Sequence, residues 1–316
     1  MKKILFICGS LNQTSMMYKI ATHLRSDYDC FFTPYYGDGI VRLLTKAGML
    51  DFTILGGKFK EQTDNYLRDN CCPVDYEGRS NNYDLVVTCS DLIVQKNIKK
   101  KKFILVQEGM TDPENIIYWI VKKLRLPRYL ASTSTTGLSN DFVKFCVASE
   151  GFKRHFVNKG VREELIEVTG IPNFDNVEQY KVNDFPHKDF VLVATSDARE
   201  TFKPDRRKSF IKKALKIADG REVIFKLHPN EKKYRADEIK QIAPKATIYH
   251  DGNAHEMVAN CETLITQYSS LVFTGLALNK EVYSYFDVAK LREMTPIQNG
   301  AKSSENIANI CRDYLE

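Results

Sequence analysis

The 316-residue sequence contains no apolar stretch long enough to cross a membrane. Apolar runs such as Ile4–Cys8 and Phe190–Ala194 cover five residues each, whereas a spanning helix needs about 20. The composition also lacks the extremes of disordered or collagen-like chains, because 43% of the residues are hydrophobic and 27% are charged. A transmembrane protein, a disordered chain and collagen are therefore excluded, and we expect a globular protein.

Targeting and metal-binding signals are also missing from the sequence. The start, MKKILFICGS, has two lysines but only five apolar residues, too few for the core of a secretory signal peptide. The eight cysteines include no CxxC pair, and Cys8, Cys89 and Cys146 each lie in an apolar, strand-like run. We therefore expect a cytoplasmic protein with free thiols and no metal site.

The charge balance is mildly basic. Lysine and arginine number 46 against 40 acidic residues, which leaves a net charge of +6. Such an excess suits an anionic small molecule, a membrane surface or nucleic acid as partner. The sequence shows no recognisable nucleic-acid-binding motif, so we do not expect a nucleic-acid partner.

Short apolar runs alternate with helix-like stretches along almost the whole chain, a pattern typical of parallel α/β sheets. The first series of predicted strands covers residues 3–8, 84–89, 102–107, 144–148 and 165–169. Periodicity is then lost over Asn173–Lys188, and a second series runs from Asp189–Thr195 to a final helix at Ser304–Tyr314. The sequence predicts two Rossmann-like domains, residues 1–175 and 176–316, with parallel sheets facing a central cleft.

Ligands of such sheets bind where the strands end, so the turns that follow the strands are candidate sites. The first turn, Gly9–Ser15, has small and polar residues that leave backbone N–H groups free for a phosphate or sugar. A capped helix start explains the same residues. In the turn Gln107-Glu108-Gly109, a carboxylate on a glycine-flanked loop suits a general base. A solvent-facing glutamate is the simpler interpretation.

Two turns in the second series also carry polar residues. His228 ends a predicted strand, and Pro229 stiffens the exit from it. Imidazole at this place can donate to a phosphate or act as acid or base, and nearby Lys226 adds positive charge. Ser269 and Ser270 open a helix after a buried strand. Their hydroxyls and the first N–H groups of that helix would bind an anion, although a simple helix cap needs only one of them.

Taken together, these turns resemble motifs of GT-B glycosyltransferases. The pair His228-Pro229, followed further along the chain by Ile265–Ser270, is similar to the HP and SS motifs of three groups. These are bacterial polysialyltransferases, Kdo transferases of capsule assembly and CDP-glycerol glycerophosphotransferases. The stretch Val147–Asp175 resembles the end of the N-terminal domain in UDP-N-acetylglucosamine 2-epimerases, and Gln107-Glu108-Gly109 resembles their acidic loop.

The resemblance implies a metal-independent glycosyltransferase of surface polysaccharide assembly. Its donor would be a CMP-, CDP- or UDP-linked sugar, its acceptor a glycan or lipid-linked glycan, and it would need no further cofactor. Glu108 would deprotonate the acceptor hydroxyl, and His228 would assist the departing phosphate. The residues implied in binding the donor phosphates are Lys226, His228, Pro229, Ser269 and Ser270. Those implied in facing the acceptor or the reacting sugar are Gly9, Ser10, Asn12 and Gln13.

Other functions stay open. A 2-epimerase would carry Gly-Thr-Arg-Pro-Glu where this chain has Gly9–Gln13, together with downstream paired glutamates. A polyol-phosphate transferase of the CDP-glycerol type would have aspartate in place of Gln267 and a histidine-glycine base motif. A non-catalytic sugar-nucleotide binder and an NADPH-dependent FMN reductase, the latter suggested by Gly9-Ser10-Leu11, are further alternatives. A sugar transferase fits the residues best.

One stretch outside these turns, Ile116–Tyr129, is both apolar and basic. Its aromatic first half runs into cationic residues, namely Lys122, Lys123, Arg125 and Arg128. A helix of this kind can rest on anionic lipid, which would bring the protein to the inner face of the membrane. The simpler interpretation is a helix that packs its apolar face on the sheet and leaves its lysines in solvent.

Overall fold

The computed structural model describes residues 1–196, 206–228, 231–232 and 234–316. The chain forms two compact units. Unit 1 comprises Met1–Asp175 together with Asn299–Glu316, and unit 2 comprises Asn176–Gln298. The sequence prediction counted residues 299–316 with the second domain, whereas the structure groups them with unit 1.

Packing of the last helix explains this difference. The helix Ser303–Asp313 buries Ile307, Ala308 and Cys311. Its first N–H, that of Ser303, donates to the carboxylate of Asp175 at 2.9 Å. The apolar side chains of this helix are buried and its first N–H is hydrogen-bonded to unit 1, so the carboxyl-terminal end of the chain belongs to that unit.

Unit 1 is built on a parallel sheet of six strands. They are β1 (Lys3–Cys8), β2 (Asp29–Pro34), β3 (Leu85–Thr88), β4 (Phe103–Val106), β5 (Lys144–Val147) and β6 (Ile166–Val168). Their order is β2-β1-β3-β4-β5-β6. The strands are rich in β-branched and aromatic residues and almost entirely buried, as expected for a sheet covered on both faces. The strand order reverses between β1 and β3, and such a reversal marks the usual binding edge of an open α/β sheet.

The helices of unit 1 differ in how much they bury. They are α1 (Leu11–Thr22), α2 (Gly39–Lys46), α3 (Gly57–Asp69), α4 (Ile116–Leu124), α5 (Glu150–Lys159) and α11 (Ser303–Asp313), with a 3₁₀ helix at Arg128–Thr135. The helix α1 buries Met16, Met17 and Ile20 against the sheet. By contrast, α4 buries Tyr118 and Val121 and leaves most of its other apolar side chains exposed.

Unit 2 contains a parallel sheet of five strands in the order β11-β10-β7-β8-β9. The strands are β7 (Val191–Ala194), β8 (Val223–Lys226), β9 (Thr247–Tyr249), β10 (Thr263–Thr266) and β11 (Glu281–Tyr283). The helices are α6 (Arg207–Ala218), α7 (Tyr234–Ile242), α8 (Ala254–Asn260), α9 (Leu271–Ala277) and α10 (Val288–Glu293). Alternate residues of β7 enter two hydrophobic clusters, Val191 and Val193 one and Leu192 and Ala194 the other. The sheet therefore has a core on each face.

The predicted fold class, two α/β units each with a parallel sheet, is confirmed. The bounds of β1 agree with the prediction at both ends. The sequence prediction assigned no element between residues 26 and 83, where the structure has β2, α2 and α3. No helix in the described part of the chain is long and apolar enough to span a membrane.

Candidate functional site

In unit 1, the predicted residues of two turns meet at one carboxylate. The hydroxyl of Ser10 donates to Oε1 of Glu108 at 2.9 Å, and the side-chain amide of Asn12 donates to the same oxygen at 3.3 Å. The amide of Gln13 donates to the other oxygen, Oε2. We call these four residues the carboxylate cluster. The sequence singled out all four, but only the structure shows that they touch.

The start of α1 sets this geometry. Ser10 is the N-cap of the helix, and its hydroxyl oxygen accepts from the N–H of Gln13 at 3.2 Å. Gly9 precedes it with no room for a side chain, because a Cβ there would lie 1.9 Å from Oε1 of Gln13. Thr63 on α3 donates to the carbonyl of Gly9 at 2.8 Å. The close approach at Gly9 therefore keeps the Gln13 amide directed at Glu108.

The loop that carries Glu108 is held by its neighbour, Gln107. The buried side-chain amide of Gln107 donates to the carbonyl of Gly109 at 2.8 Å and accepts from the N–H of Ala148 at 2.9 Å. Burial raises the pKa of the nearby Cys89 thiol well above its usual value, and the negative charge of Glu108 raises it further. Cys89 therefore stays protonated beside the cluster and does not act as a nucleophile.

A third turn of unit 1 reaches the same helix. The amide of Asn173 donates to the carbonyl of Asn12 at 3.1 Å, and its oxygen accepts from the ammonium of Lys19 at 3.0 Å. Burial lowers the pKa of Lys19, against an opposing effect of Asp175. Sequence reasoning assigned no role to Asn173 or Lys19. Asn173 could have been selected only because it is a polar residue in the turn after β6.

The arrangement leaves a half-buried carboxylate surrounded by neutral donors. Donors of this kind orient the carboxylate and bring no opposite charge to it. Glu108 is thus suited to accept a proton from a hydroxyl placed beside it, which is the chemistry of a general base.

In unit 2, the structure builds a second polar cluster around Glu231, which sequence reasoning did not single out. Glu231 and Arg207, the first residue of α6, are 5% and 7% exposed and form an ion pair. The hydroxyl of Thr195, directly after β7, donates to Oε2 of Glu231. The backbone N–H of His228 donates to the same oxygen at 2.9 Å. We call these residues the ion-pair cluster.

This cluster fixes the end of the segment that follows β8. His228 and Glu231 are joined by two hydrogen bonds, since the Glu231 N–H also donates to the carbonyl of His228 at 2.9 Å. The His228 ring is half-buried. Pro229, the predicted partner of His228 in the motif, lies outside the described residues.

Lys226 ends β8 with its side chain in a different setting. Its ammonium donates to the carbonyls of Leu227 at 2.9 Å and His250 at 3.0 Å, and burial lowers its pKa. In this structure Lys226 joins the turns after β8 and β9. A role in phosphate binding stays a prediction for this residue.

The paired serines follow β10, the strand next to β7. The Ser269 hydroxyl accepts from the N–H of Leu271 at 3.2 Å, so Ser269 provides the side-chain cap of α9. Ser270 is exposed, and its side chain makes no cap hydrogen bond in the described structure. The neighbouring N–H of Tyr268 donates to Ser196, after β7, at 3.3 Å.

The strand order explains why these turns gather. In β10, β7 and β8, residues Thr266, Ala194 and Lys226 lie side by side in register. The carboxyl ends of three adjacent strands therefore place the serines, Thr195 and His228 along one edge of the sheet. Among the described residues, no group of three or more His, Cys, Asp or Glu side chains is arranged to hold a metal ion.

Sequence comparison identifies no relative, since no protein-family model and no curated protein matches the chain. Solved structures do match it. A UDP-GlcNAc 2-epimerase from Methanocaldococcus jannaschii, in complex with UDP-GlcNAc and UDP, is 17% identical with a TM-score of 0.58, covering 98% of this chain and 99% of its own. The Neisseria meningitidis UDP-GlcNAc 2-epimerase bound to UDP-GlcNAc is 10% identical with a TM-score of 0.59, covering 98% and 100%.

A third match is of another kind. A variant of the wall teichoic acid polymerase TagF is 12% identical with a TM-score of 0.52, covering 99% of this chain and 89% of the polymerase. At such identities the likeness establishes a shared fold, which is the GT-B-like architecture of two parallel-sheet α/β domains. Because this fold carries both epimerases and a polymerase, the reaction has to be argued from the residues.

Proposed function

We propose that the chain is a glycosyltransferase that moves a sugar from a nucleotide-activated donor to an acceptor hydroxyl in surface polysaccharide assembly. Unit 1 would serve the acceptor and unit 2 the donor. The observation that carries the proposal is the carboxylate cluster, in which three neutral side chains orient a half-buried glutamate at the binding edge of the sheet.

The proposed reaction begins with Glu108. Its carboxylate takes the proton of the acceptor hydroxyl, and the oxygen attacks the anomeric carbon of the donor as the bond to the nucleotide phosphate breaks. Base assistance matters because a sugar hydroxyl is a weak nucleophile until it loses its proton. Ser10, Asn12 and Gln13 keep the carboxylate oriented. The Gly9 carbonyl, which accepts from Thr63, keeps the turn in place.

The donor phosphates are assigned to unit 2. His228, Pro229, Ser269 and Ser270 would bind them, with Lys226 adding positive charge once its carbonyl partners are exchanged. The departing phosphate gains negative charge, and donors already in place stabilise that charge without reorganisation. Support comes from the gathered strand ends and from the M. jannaschii and N. meningitidis structures, which contain UDP-GlcNAc. A CMP-, CDP- or UDP-linked sugar is the proposed donor class.

A 2-epimerase acting on UDP-GlcNAc is the second candidate, since proteins of that activity share the fold over nearly the full chain. The two functions differ in one requirement. An epimerase converts the nucleotide sugar without an acceptor, whereas a transferase needs an acceptor hydroxyl and releases the nucleotide.

The first experiment is a thermal-shift screen with CMP, CDP, UDP and their sugar conjugates. A ligand present at a hundred times its dissociation constant adds about 2.7 kcal/mol to the free energy of unfolding. We expect one nucleotide class to stabilise the wild type and to stabilise His228→Ala and Ser270→Ala less. If no nucleotide stabilises the wild type, the assignment of donor binding to unit 2 is wrong.

The stabilising conjugate is then incubated with and without glycan acceptors. We expect Glu108→Gln to reduce the rate of transfer by about 10²- to 10⁴-fold while donor binding is retained. The matched control, Glu61→Gln, changes an exposed glutamate of α3 and should retain the wild-type rate. Conversion of UDP-GlcNAc in the absence of acceptor would favour the epimerase. Nucleotide binding without any turnover would identify a binding protein.

A further inference from the structure

The helix α4 exposes most of its apolar side chains. Its buried residues, Tyr118 and Val121, pack with Ala131 in a small cluster. The exposed ones in α4 and the segment after it are Ile116, Ile117, Trp119, Ile120, Leu124, Leu126, Tyr129 and Leu130, with Ile116 at 78% and Leu124 at 62%. A helix that is apolar on nearly every side is normally covered by protein or lipid. The interpretation of Ile116–Tyr129 as a helix packed on the sheet is therefore corrected: the buried residues of α4 cluster with Ala131 and Leu138, which lie outside the strands.

A second helix of unit 1 has the same character. None of the eight residues of α2 is buried in the described structure. Ile40, Leu43 and, in the following segment, Phe52 are 75%, 68% and 75% exposed. Isolated exposed apolar residues are common, but two segments of this composition in the same unit indicate an interaction surface.

Both segments are attached to the loop that follows β3. On the α2 side, the carboxylate of Asp38 accepts from the N–H of Lys96 at 2.6 Å. On the α4 side, Arg128 donates to the fully buried carboxylate of Asp91 at 2.7 Å, and that carboxylate also accepts from the N–H of Gly137 at 2.9 Å. One loop thus anchors the two apolar segments within the same unit.

Cationic side chains accompany the apolar ones. Lys46 ends α2, while Lys123 and Arg125 lie at the end of α4, and all three are exposed. The exposed acidic residues beside these segments, Asp51, Asp112 and Glu114, all lie outside the two helices. Interfaces between proteins are depleted in lysine at their centres. Apolar side chains beside lysine and arginine are instead the combination that binds the surface of an anionic bilayer.

We propose that α2, α4 and the segment Leu126–Leu130 form a docking surface for a membrane containing anionic phospholipid. The apolar side chains enter the boundary between headgroups and acyl chains, and Lys46, Lys123 and Arg125 contact the phosphates. The contact is peripheral, with the helices in the plane of the interface. This inference goes beyond the proposed reaction and does not depend on it.

Trp119 makes the proposal directly testable, because it is the only tryptophan of the chain and is 56% exposed. Its fluorescence is recorded with vesicles of phosphatidylcholine alone and of phosphatidylcholine mixed with phosphatidylglycerol. We expect a blue shift with the mixed vesicles, and quenching when brominated phosphatidylcholine is included. Phosphatidylcholine alone should give a much smaller blue shift, since its headgroup has no net charge to attract the lysine and arginine side chains.

Variants separate the two contributions. Replacing Ile117 and Ile120 by serine should lower the partition coefficient at least about tenfold, because two partly inserted side chains are lost. Lys123→Gln with Arg125→Gln should lower it about 25-fold for mixed vesicles, at about fivefold for each charge. The control, Val182→Ser in unit 2, changes a side chain that is 90% exposed and should bind as the wild type. Unchanged thermal unfolding shows that each variant is folded.

Two results would overturn the proposal. The first is a Trp119 spectrum that does not respond to mixed vesicles. The second is a blue shift that grows with protein concentration in the absence of lipid and accompanies dimers in sedimentation velocity. That outcome would assign the surface to a second copy of the chain instead.

Discussion

The two units hold a carboxylate at the binding edge of their sheets in opposite ways. Glu108 in unit 1 is half-buried and accepts hydrogen bonds from the neutral side chains of Ser10, Asn12 and Gln13. Glu231 in unit 2 is 5% exposed and forms an ion pair with Arg207. The neutral donors bring no opposite charge to the first carboxylate, whereas the guanidinium of Arg207 pairs with the second.

This difference separates two uses of a carboxylate. A base must exchange a proton with a substrate, so it needs an accessible oxygen and no cation bound to it. A buried carboxylate paired with a cation cannot do this. It can hold a backbone N–H in place, and its ion pair resists disruption because removal of the cation would leave an unpaired charge in a low dielectric. In the proposed function, Glu108 is therefore the residue that takes part in the chemistry, and Glu231 holds the backbone N–H of His228. Three predictions test this distinction, in order of expected effect.

The largest effect is expected from Arg207→Met. It leaves Glu231 buried without its cation, and we expect a loss of about 3–5 kcal/mol in the free energy of unfolding of unit 2. Hydrogen exchange of unit 2 amides in urea measures it, because the single tryptophan lies in unit 1. Lys212→Met, an exposed lysine of the same helix, should change the free energy by less than about 0.5 kcal/mol. Equal effects of both variants would show that the ion pair does not stabilise unit 2.

Lys159 in unit 1 is a buried charge without a carboxylate partner among the described residues, and so contrasts with the buried ion pair of unit 2. It is 3% exposed and donates to the carbonyl of Ser134. Burial lowers its pKa to about 8, and the charges of Glu114 and Asp91 only partly oppose this. Between about pH 8 and 10 the unfolded chain keeps the proton that the folded chain has lost, so stability should rise with pH in this range.

The gain amounts to about 1.4 kcal/mol for each unit of pH and about 3 kcal/mol in total. Lys159→Met should lack it, and the difference between the two proteins removes the contribution of every other titrating group. Urea unfolding at several pH values measures the effect. Parallel pH profiles for wild type and variant would contradict the prediction.

The smallest effect is expected from Gly9→Ala. Its methyl group would lie 1.9 Å from Oε1 of Gln13, so the amide has to leave Glu108. We expect little loss of stability, because the Gln13 side chain can move away, but a lower rate of transfer with an unchanged KM for the donor. In Gly109→Ala the added Cβ meets Phe174 at an ordinary 3.7 Å, so this control should cost less. A variant as active as wild type would show that the Gln13 contact is dispensable.

Local sequence patterns predicted most of the strands of unit 1. The run Lys3–Cys8 is apolar with branched side chains, and it forms β1 over the predicted residues. The edge strand β2 was missed because Asp29 and Pro34 at its ends look like turn residues. The helix α2 was missed although its apolar residues recur with helical spacing, because its eight residues are fewer than the window over which a helical period is usually recognised.

Some residues of the candidate sites could be predicted from local sequence patterns, and others could not. Glu108 and the first turn could be selected because polar residues directly after an apolar strand are a local signal. The pairing of Arg207 with Glu231 carries no such signal, because the two residues lie on separate elements that only the packing of α6 against the sheet brings together. The gathering of the serines, Thr195 and His228 likewise depends on the strand order.

By itself, the sequence determined most strands and helices outside residues 26–83 and the turns that carry polar groups, because hydrophobic period and turn chemistry act over a few residues. Only the tertiary structure decided that Ser10, Asn12 and Gln13 meet Glu108, that Glu231 is neutralised by Arg207, and that α4 stays uncovered. The physical reason is that charge environment and burial depend on neighbours far away in the chain, which are brought together when the sheets assemble and their helices pack.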